Sequence, residues 1–231
     1  MSIPERYKKI CKCIASACER AGRDPDSVTL LAVSKTWPAE TILELYHCGH
    51  LIYGENKVQE VEQKRPVLPS DMEWHFIGHL QKNKVRKVLA HCDVIQSVDS
   101  LELAQRIDRI AGELETRPKI QLQVNIGDET SKHGFSPDDL SASLPGIREL
   151  ENVELSGLMA IPPAVDDPEK ARAYFRSMEE LRRNLEDREG IPLPELSIGM
   201  SHDFEVAIEE GSTIVRVGSA LFGERIYPAV N

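Results

Sequence analysis

The sequence has no apolar run near the roughly 18 residues that a membrane-spanning helix needs, and residues 1–6 carry no apolar signal-peptide core. Its five cysteines are an odd number without a CxxC pair, which is unlike a disulfide framework. Basic residues are not in excess, because 28 lysines and arginines are outnumbered by 38 acidic residues. We therefore expect a cytoplasmic protein with free thiols, no membrane segment and no nucleic-acid partner, which would require a basic surface.

Apolar runs and helix-like segments alternate eight times along the chain, and the runs are continuously apolar, as in a parallel sheet with a covered outer surface. The predicted strands are residues 28–33, 51–53, 73–77, 94–98, 119–126, 154–161, 195–198 and 213–217. Helical spacing also predicts helices at residues 3–21, 137–144 and 168–188. The pattern predicts one domain, residues 1–231, folded as a (β/α)8 TIM-type barrel with an extra N-terminal helix. A doubly wound open sheet is the alternative, although no GxGxxG motif opens a helix.

The first predicted strand ends in a lysine, in the run Leu30-Leu31-Ala32-Val33-Ser34-Lys35. At the carboxyl end of a buried strand, Lys35 would direct its amine into a pocket, where burial disfavours the charged form. A neutral amine is what Schiff-base chemistry with an aldehyde requires. The alternative is a solvated lysine at a strand end, which is the commoner state of lysine.

Further residues stand at the carboxyl ends of the other predicted strands, where barrels place their chemistry. They are Asn56, His79, Ser97, Asp99, Asn125, Met159, Ser201, Gly218 and Ser219. We expect these residues to surround one pocket that contains Lys35. Taken singly, each has an ordinary structural explanation, such as the turn-forming role of asparagine.

The loops after the seventh and eighth strands have the composition of a phosphate site. Gly199 and Gly218 let backbone N–H groups approach an anion, and Ser201 and Ser219 add hydroxyl donors. Barrels of this type often bind phosphate at this position. Turn glycines and helix-capping serines are the alternative explanation.

Arg216 lies within the eighth predicted strand, two residues before Gly218, so the two residues point to the same side. An arginine inside a barrel needs a partner. A pyridine nitrogen would accept its hydrogen bond, and an aldehyde and a phosphate on the same ring would match Lys35 and the two loops. These three features together describe pyridoxal 5′-phosphate (PLP). A buried ion pair with an inward carboxylate such as Asp99 is the alternative.

Six short runs, in the same order along the chain, give the sequence a resemblance to a known family. The runs are Ala32-Val33-Ser34-Lys35, Tyr53-Gly54-Glu55-Asn56, His75-Phe76-Ile77-Gly78-His79-Leu80-Gln81, Gly157-Leu158-Met159, Gly199-Met200-Ser201 and Val215-Arg216-Val217-Gly218. The sequence resembles the pyridoxal phosphate homeostasis proteins, whose fold is similar to the N-terminal barrel of alanine racemases.

The resemblance implies a role for each matching residue. Lys35 would hold PLP as a Schiff base and Arg216 would meet the pyridine nitrogen. Ser201, Gly218 and Ser219 would lie near the phosphate. Asn56 would line the ring pocket, and Met200 would also be a cofactor-binding residue. No metal is implied at the site.

The resemblance further implies a PLP carrier that buffers the cofactor and supports amino-acid and keto-acid balance without an established catalytic turnover. Racemisation needs a second base, which the related racemases take from a further domain. Because the sequence closes at Asn231, soon after the eighth strand, we expect no such domain. The expected partners are PLP and apo forms of PLP-dependent enzymes, and the expected state is a monomer.

Two enzymatic alternatives remain at this point. One is a PLP-dependent amino-acid racemase or lyase that uses Lys35 with His79 or Tyr53. The other is a barrel enzyme that forms a Schiff base with a sugar phosphate and uses no cofactor.

Overall fold

The computed structural model of the protein describes residues 1–127, 129 and 133–223. The predicted loop at 127–135 and the last part of the predicted domain fall partly outside these residues. Within them, eight parallel strands follow one another around a closed barrel, and the eighth pairs with the first. The predicted (β/α)8 barrel is confirmed, and the open-sheet alternative is wrong because Leu31 of the first strand is in register with Arg216 of the last.

The strands and helices of the described residues alternate in the predicted order. The strands are β1 (Thr29–Val33), β2 (Ile52–Glu55), β3 (Glu73–Phe76), β4 (Val94–Val98), β5 (Lys119–Val124), β6 (Glu154–Ala160), β7 (Glu195–Met200) and β8 (Ile214–Val217). The helices are α1 (Ile3–Arg20), α2 (Ala39–Tyr46), α3 (Val58–Lys64), α4 (Val85–Leu89), α5 (Leu101–Glu113), α6 (Pro137–Arg148), α7 (Arg172–Glu189), α8 (Phe204–Glu209) and α9 (Ser219–Phe222). None of these helices combines the length and apolar composition needed to cross a membrane.

The extra N-terminal helix α1 is fixed by its cap and by one apolar side. Ser2 and Glu5 form a reciprocal capping box at its start. Ile10, Ile14 and Cys18 recur at helical spacing and are buried where α1 packs on α8 and α9. The helix therefore covers the outside of the barrel beside the last strands.

Two predicted helices have different boundaries in the structure. Helix α6 continues to Arg148 although Pro145 lies inside it, because Leu144 and Ile147 on either side are buried in the core. The segment predicted as a helix at 168–188 begins with a separate turn of 3-10 helix, Pro168–Ala171, and α7 follows. Gly190, in the left-handed conformation with φ of 63°, ends α7.

The barrel interior contains both an apolar cluster and buried polar side chains. Leu31, Val33, Ile77 and Ile214 form a small apolar cluster separate from the main core between strands and helices. Buried polar side chains also lie on the strands, among them His75, Gln96, Gln121, Ser197 and Arg216. Hydrogen bonds across the interior, rather than apolar packing alone, therefore hold the barrel below its carboxyl end.

Candidate cofactor site

A cavity of about 610 Å³ opens at the carboxyl end of the barrel, a size typical of small-molecule sites. Its walls come from strands on both sides of the β8–β1 junction. The lining residues are Val33, Lys35, Asn56, Ile77, Ile161, Met200, Ser201, His202, Arg216, Gly218 and Ser219. All seven residues that the sequence proposes as cofactor-binding lie on this wall.

Lys35 is half-buried in the turn after β1, and the residues on either side of it are anchored. The Ser34 hydroxyl donates to Glu55 Oε1 at 2.7 Å. The backbone N–H of Thr36 donates to Glu60 Oε2 at 2.6 Å. Thr36 has a positive φ of 71°, an unusual conformation for a β-branched residue. These contacts fix the direction in which Lys35 leaves the strand.

Lys64 joins these anchors into one buried network. Its ammonium donates to Glu55 Oε1 at 2.6 Å, to Glu60 Oε2 at 2.8 Å and to the Ser34 carbonyl at 3.0 Å. Glu55 is fully buried, and this burial raises its pKa although Lys64 acts in the opposite direction. Removing one partner of such a pair leaves a buried charge uncompensated. The glutamate of the Tyr53-Gly54-Glu55-Asn56 run is therefore a support for the Lys35 turn.

The ends of β2 and β3 pass each other closely and place Asn56 on the cavity wall. A Cβ on Gly78 would lie 2.0 Å from the carbonyl oxygen of Asn56, so only glycine allows this approach. Asn56 Oδ1 is buried without a hydrogen-bond partner among the described residues. A buried amide oxygen of this kind is typical of a site that a ligand completes.

The loops after β7 and β8 are bonded to each other through Ser201. Its Oγ accepts from the backbone N–H groups of Gly218 at 3.1 Å and Ala220 at 3.4 Å. Gly199 has a φ of 89°, and a Cβ there would lie 2.5 Å from Ala207 Cβ, so the turn requires glycine. The arrangement gathers hydroxyl and backbone N–H groups at one corner of the cavity, which is the donor set that phosphate sites use.

Arg216 is buried at the cavity floor. Its Nη1 donates to the Ser197 carbonyl at 2.6 Å and to Ser197 Oγ at 2.7 Å, and its Nη2 donates to the Ala160 carbonyl at 2.8 Å. Within the described part of the chain, these bonds use three of the five N–H donors. Burial lowers the pKa of Arg216 to about 10, with Asp203 opposing the shift, so the guanidinium stays charged at neutral pH.

Asp99, the alternative partner proposed for Arg216, forms no ion pair with it among the described residues. Asp99 Oδ2 lies 3.2 Å from His79 Nδ1 and 3.9 Å from His133 Nδ1. Arg216 is bonded instead to carbonyl and hydroxyl oxygens, which are neutral acceptors.

A continuous chain of hydrogen bonds runs from Arg216 through the barrel interior. Ser197 Oγ donates to Gln96 Oε1 at 2.7 Å, and Gln96 Nε2 donates to His75 Nδ1 at 2.7 Å. His75 Nε2 then donates to Glu73 Oε1 at 2.7 Å. Because Gln96 Nε2 is the donor at its contact with His75, His75 Nδ1 is the acceptor there and Nε2 is the donor toward Glu73.

At the far end of this chain, Glu73 stands at the start of β3 with its side chain 46% exposed. The hydrogen bond from His75 lowers the pKa of Glu73 below its usual value. The carboxylate therefore remains ionised and accepts the hydrogen bond from His75 Nε2. This series of hydrogen bonds begins at the opposite end of the barrel. It fixes Ser197 Oγ in the position where it accepts from Arg216.

The expectation of a single pocket for all the strand-end residues is too broad. His79 and Asp99 line a neighbouring cleft, and Asn56 alone lines both the cavity and a cleft beside His79. Ser97 is buried, and Asn125 bonds the Glu129 backbone. The cavity is built mainly from the loops after β1, β2, β7 and β8, because the ring of strand ends is wider than one ligand.

Four lining residues were not proposed from the sequence. Val33 and Ile77 belong to the apolar cluster inside the barrel, and Ile161 follows β6. His202 stands at the mouth, where its Nε2 donates to the Asp166 carbonyl at 3.0 Å. His202 follows Ser201 directly in the loop after β7, and this position in the sequence could have identified it as a cavity residue.

Comparisons with known proteins agree with this geometry. The family model for the N-terminal domain of alanine racemase matches residues 14–226. The pyridoxal phosphate homeostasis protein of Aquifex aeolicus is 47% identical over 228 residues, covering 98% of this chain and 100% of that protein. The protein of the same name from Pseudomonas aeruginosa is 42% identical over 235 residues, covering 99% of this chain and 98% of that protein. The chain belongs to the pyridoxal phosphate homeostasis protein family.

Solved structures of similar proteins have the same barrel. PipY of Synechococcus elongatus, in a structure with PLP bound, is 41% identical with a TM-score of 0.84 and covers 96% of this chain and 100% of its own. An alanine racemase of Clostridium difficile is 16% identical with a TM-score of 0.71, and 57% of its chain is covered. The racemase shows the fold alone, while PipY is a full-length relative with the cofactor in place.

Proposed function

We propose that this protein binds PLP covalently through Lys35 and carries and buffers the cofactor, in support of PLP and amino-acid homeostasis. The observation that carries the proposal is the convergence of Lys35, Arg216 and the Ser201–Gly218 corner on one cavity. When bound, PLP supplies an aldehyde that reacts reversibly with amines.

The residues present fit this group. Lys35 offers the amine, and Arg216 has N–H donors left for a ring nitrogen. Asn56 Oδ1 is a buried acceptor without a partner among the described residues, on the same wall. Ser201 and Ser219 offer hydroxyl donors to a phosphate, and the Gly218 N–H, which donates to Ser201 Oγ, lies at the same corner. The names of the relatives and the PLP-bound PipY support the same assignment.

The cavity favours storage over carbanion chemistry. An arginine that donates to the pyridine nitrogen keeps this nitrogen unprotonated, which weakens the ring as an electron sink. Of the two residues considered as a second base, Tyr53 is fully buried and donates to the His50 carbonyl, and His79 does not line the cavity. We therefore propose that the protein does not act as a racemase or lyase. We further propose that it acts as a cytoplasmic monomer that delivers PLP to apo-enzymes.

One paired experiment tests carriage against catalysis. PLP-loaded protein is mixed with an apo PLP-dependent enzyme, and in parallel with L-alanine labelled with deuterium at Cα. We expect recovery of the apo-enzyme's activity and retention of both the label and the configuration of alanine. Loss of the label at about 1 s⁻¹ or faster, dependent on Lys35, would overturn the carrier proposal in favour of an enzyme.

A further inference from the structure

Three side chains with metal-binding atoms meet at the barrel mouth, outside the Lys35 cavity. His79 follows β3, Asp99 follows β4 directly, and His133 precedes the bridge between Phe135 and Val124 of β5. Their donor atoms all lie within 4.8 Å of one another. We propose that His79, Asp99 and His133 form a binding site for a divalent transition-metal ion, with the chemistry of a zinc site.

The distances are close to those that a metal ion requires. Zinc bonds of about 2.0–2.1 Å in a tetrahedral arrangement place neighbouring ligand atoms about 3.3 Å apart. Asp99 Oδ2 lies 3.2 Å from His79 Nδ1 and 3.9 Å from His133 Nδ1. A rotation of the more exposed His133 side chain would bring His133 Nδ1 and Asp99 Oδ2 to the same separation.

The two imidazole rings lie beside the same carboxylate. They stack with centroids 3.7 Å apart and 12° between their planes, and the Nδ1 atom of each ring lies near Asp99 Oδ2. Because an imidazole binds a metal ion in its own ring plane, one ring has to turn out of this stack for both Nδ1 atoms to bind one ion. Two imidazole nitrogens and one carboxylate oxygen are the protein ligands of catalytic zinc sites that keep one position open. Here the open positions would point to the barrel mouth.

Contacts from neighbouring residues hold two of the three ligands, His133 and Asp99, in place. His133 is tied to β5, because its carbonyl accepts from Gln123 Nε2 at 3.0 Å. Gly134 follows with a φ of 129°, and a Cβ there would lie 2.8 Å from the Asn125 nitrogen, so this turn requires glycine. Ser100 Oγ donates to the other oxygen of Asp99, Oδ1, at 3.4 Å, and Oδ2 is the oxygen next to the two histidines. Such outer contacts orient metal ligands.

The site is independent of the proposed cofactor function, because none of its ligands lines the Lys35 cavity. The test uses the full-length protein with its free thiols alkylated, so that cysteine cannot bind the ion. Zn²⁺ is titrated in competition with a chromophoric zinc chelator, and Co²⁺ binding is followed by visible d–d absorption. We expect one ion per chain.

Two substitutions and one control make the result specific. His133→Ala, whose side chain is 57% exposed, and Asp99→Asn should each weaken Zn²⁺ binding at least about tenfold. His47→Ala, a histidine at the end of α2, should leave the affinity unchanged. Circular dichroism and PLP absorbance check that the variants fold and keep the Lys35 cavity. Equal Zn²⁺ uptake by wild type and His133→Ala, or binding that vanishes on alkylation, would overturn the metal site without affecting the cofactor proposal.

Discussion

Replacement of Gln96 by leucine tests the hydrogen-bond chain behind Arg216. Gln96 is fully buried, and its amide satisfies the Ser197 hydroxyl and the His75 Nδ1 at once. In Gln96→Leu the Ser197 O–H loses its acceptor and His75 Nδ1 loses its donor inside the barrel. A buried polar group without a partner costs about 1–3 kcal/mol, so the free energy of unfolding should fall by about 2–6 kcal/mol. This loss is a large part of the usual 5–15 kcal/mol. Urea unfolding of the PLP-free protein measures it.

Gln121→Leu is the matched control, because Gln121 is also fully buried but takes no part in the series of hydrogen bonds that joins Arg216 to Glu73. Its Oε1 has no partner among the described residues, and its Nε2 donates to Glu195, whose side chain is 24% exposed. Removing this amide strands no buried donor, so the unfolding free energy should stay unchanged or rise slightly. Equal losses in the two variants would refute the view that the chain through Gln96 is a specific support for Arg216.

Three further predictions concern the phosphate corner, the Lys35 support and a buried histidine. Ser201→Ala should weaken PLP binding by about 1.5–3 kcal/mol and pyridoxal binding much less, in spectroscopic titrations, because only PLP carries the charged group. Lys64→Met should lower the free energy of unfolding by about 3–5 kcal/mol, in urea denaturation, because Glu55 would be left buried without its cation. His50 is buried, which lowers its pKa from 6.5 to about 4. Between pH 6.5 and pH 4, His50 is protonated in the unfolded chain but stays neutral in the folded chain. Stability should therefore fall by up to about 3 kcal/mol between pH 6.5 and 4, and His50→Gln should show a smaller fall.

Each of these predictions has a contradicting result. Equal losses of PLP and pyridoxal affinity in Ser201→Ala would mean that the phosphate does not bind at the corner formed by the loops after β7 and β8. Unchanged stability of Lys64→Met would mean that water reaches Glu55 and that the Lys35 turn has another support. A pH profile of His50→Gln that matches the wild type would place the titration at other groups.

The sequence predicts the barrel and the cavity residues because both depend on local patterns. Apolar runs mark the strands, and strand ends in a parallel barrel share one edge. Period-two alternation places Arg216 and Gly218 on the same side. These rules do not depend on which strands face each other across the interior.

The contacts that support the site depend on barrel closure and could not be predicted in the same way. Ser197 and Gln96 are 101 residues apart and on strands that are not neighbours, so no spacing rule links them. The pairing of Glu55 with Lys64 is also invisible to a pattern, because lysine is ordinarily exposed. His79, Asp99 and His133 carry no metal-site spacing, since loops after three different strands bring them together.

The most direct test of the account is to identify the lysine that bears the cofactor. The purified protein, loaded with PLP, is reduced with borohydride, and the labelled peptide is mapped by mass spectrometry. The account predicts an absorbance change on reduction and a single major label on Lys35, with neither in a folded Lys35→Ala variant. A main label on any other lysine, or the same reducible absorbance in Lys35→Ala, would contradict it.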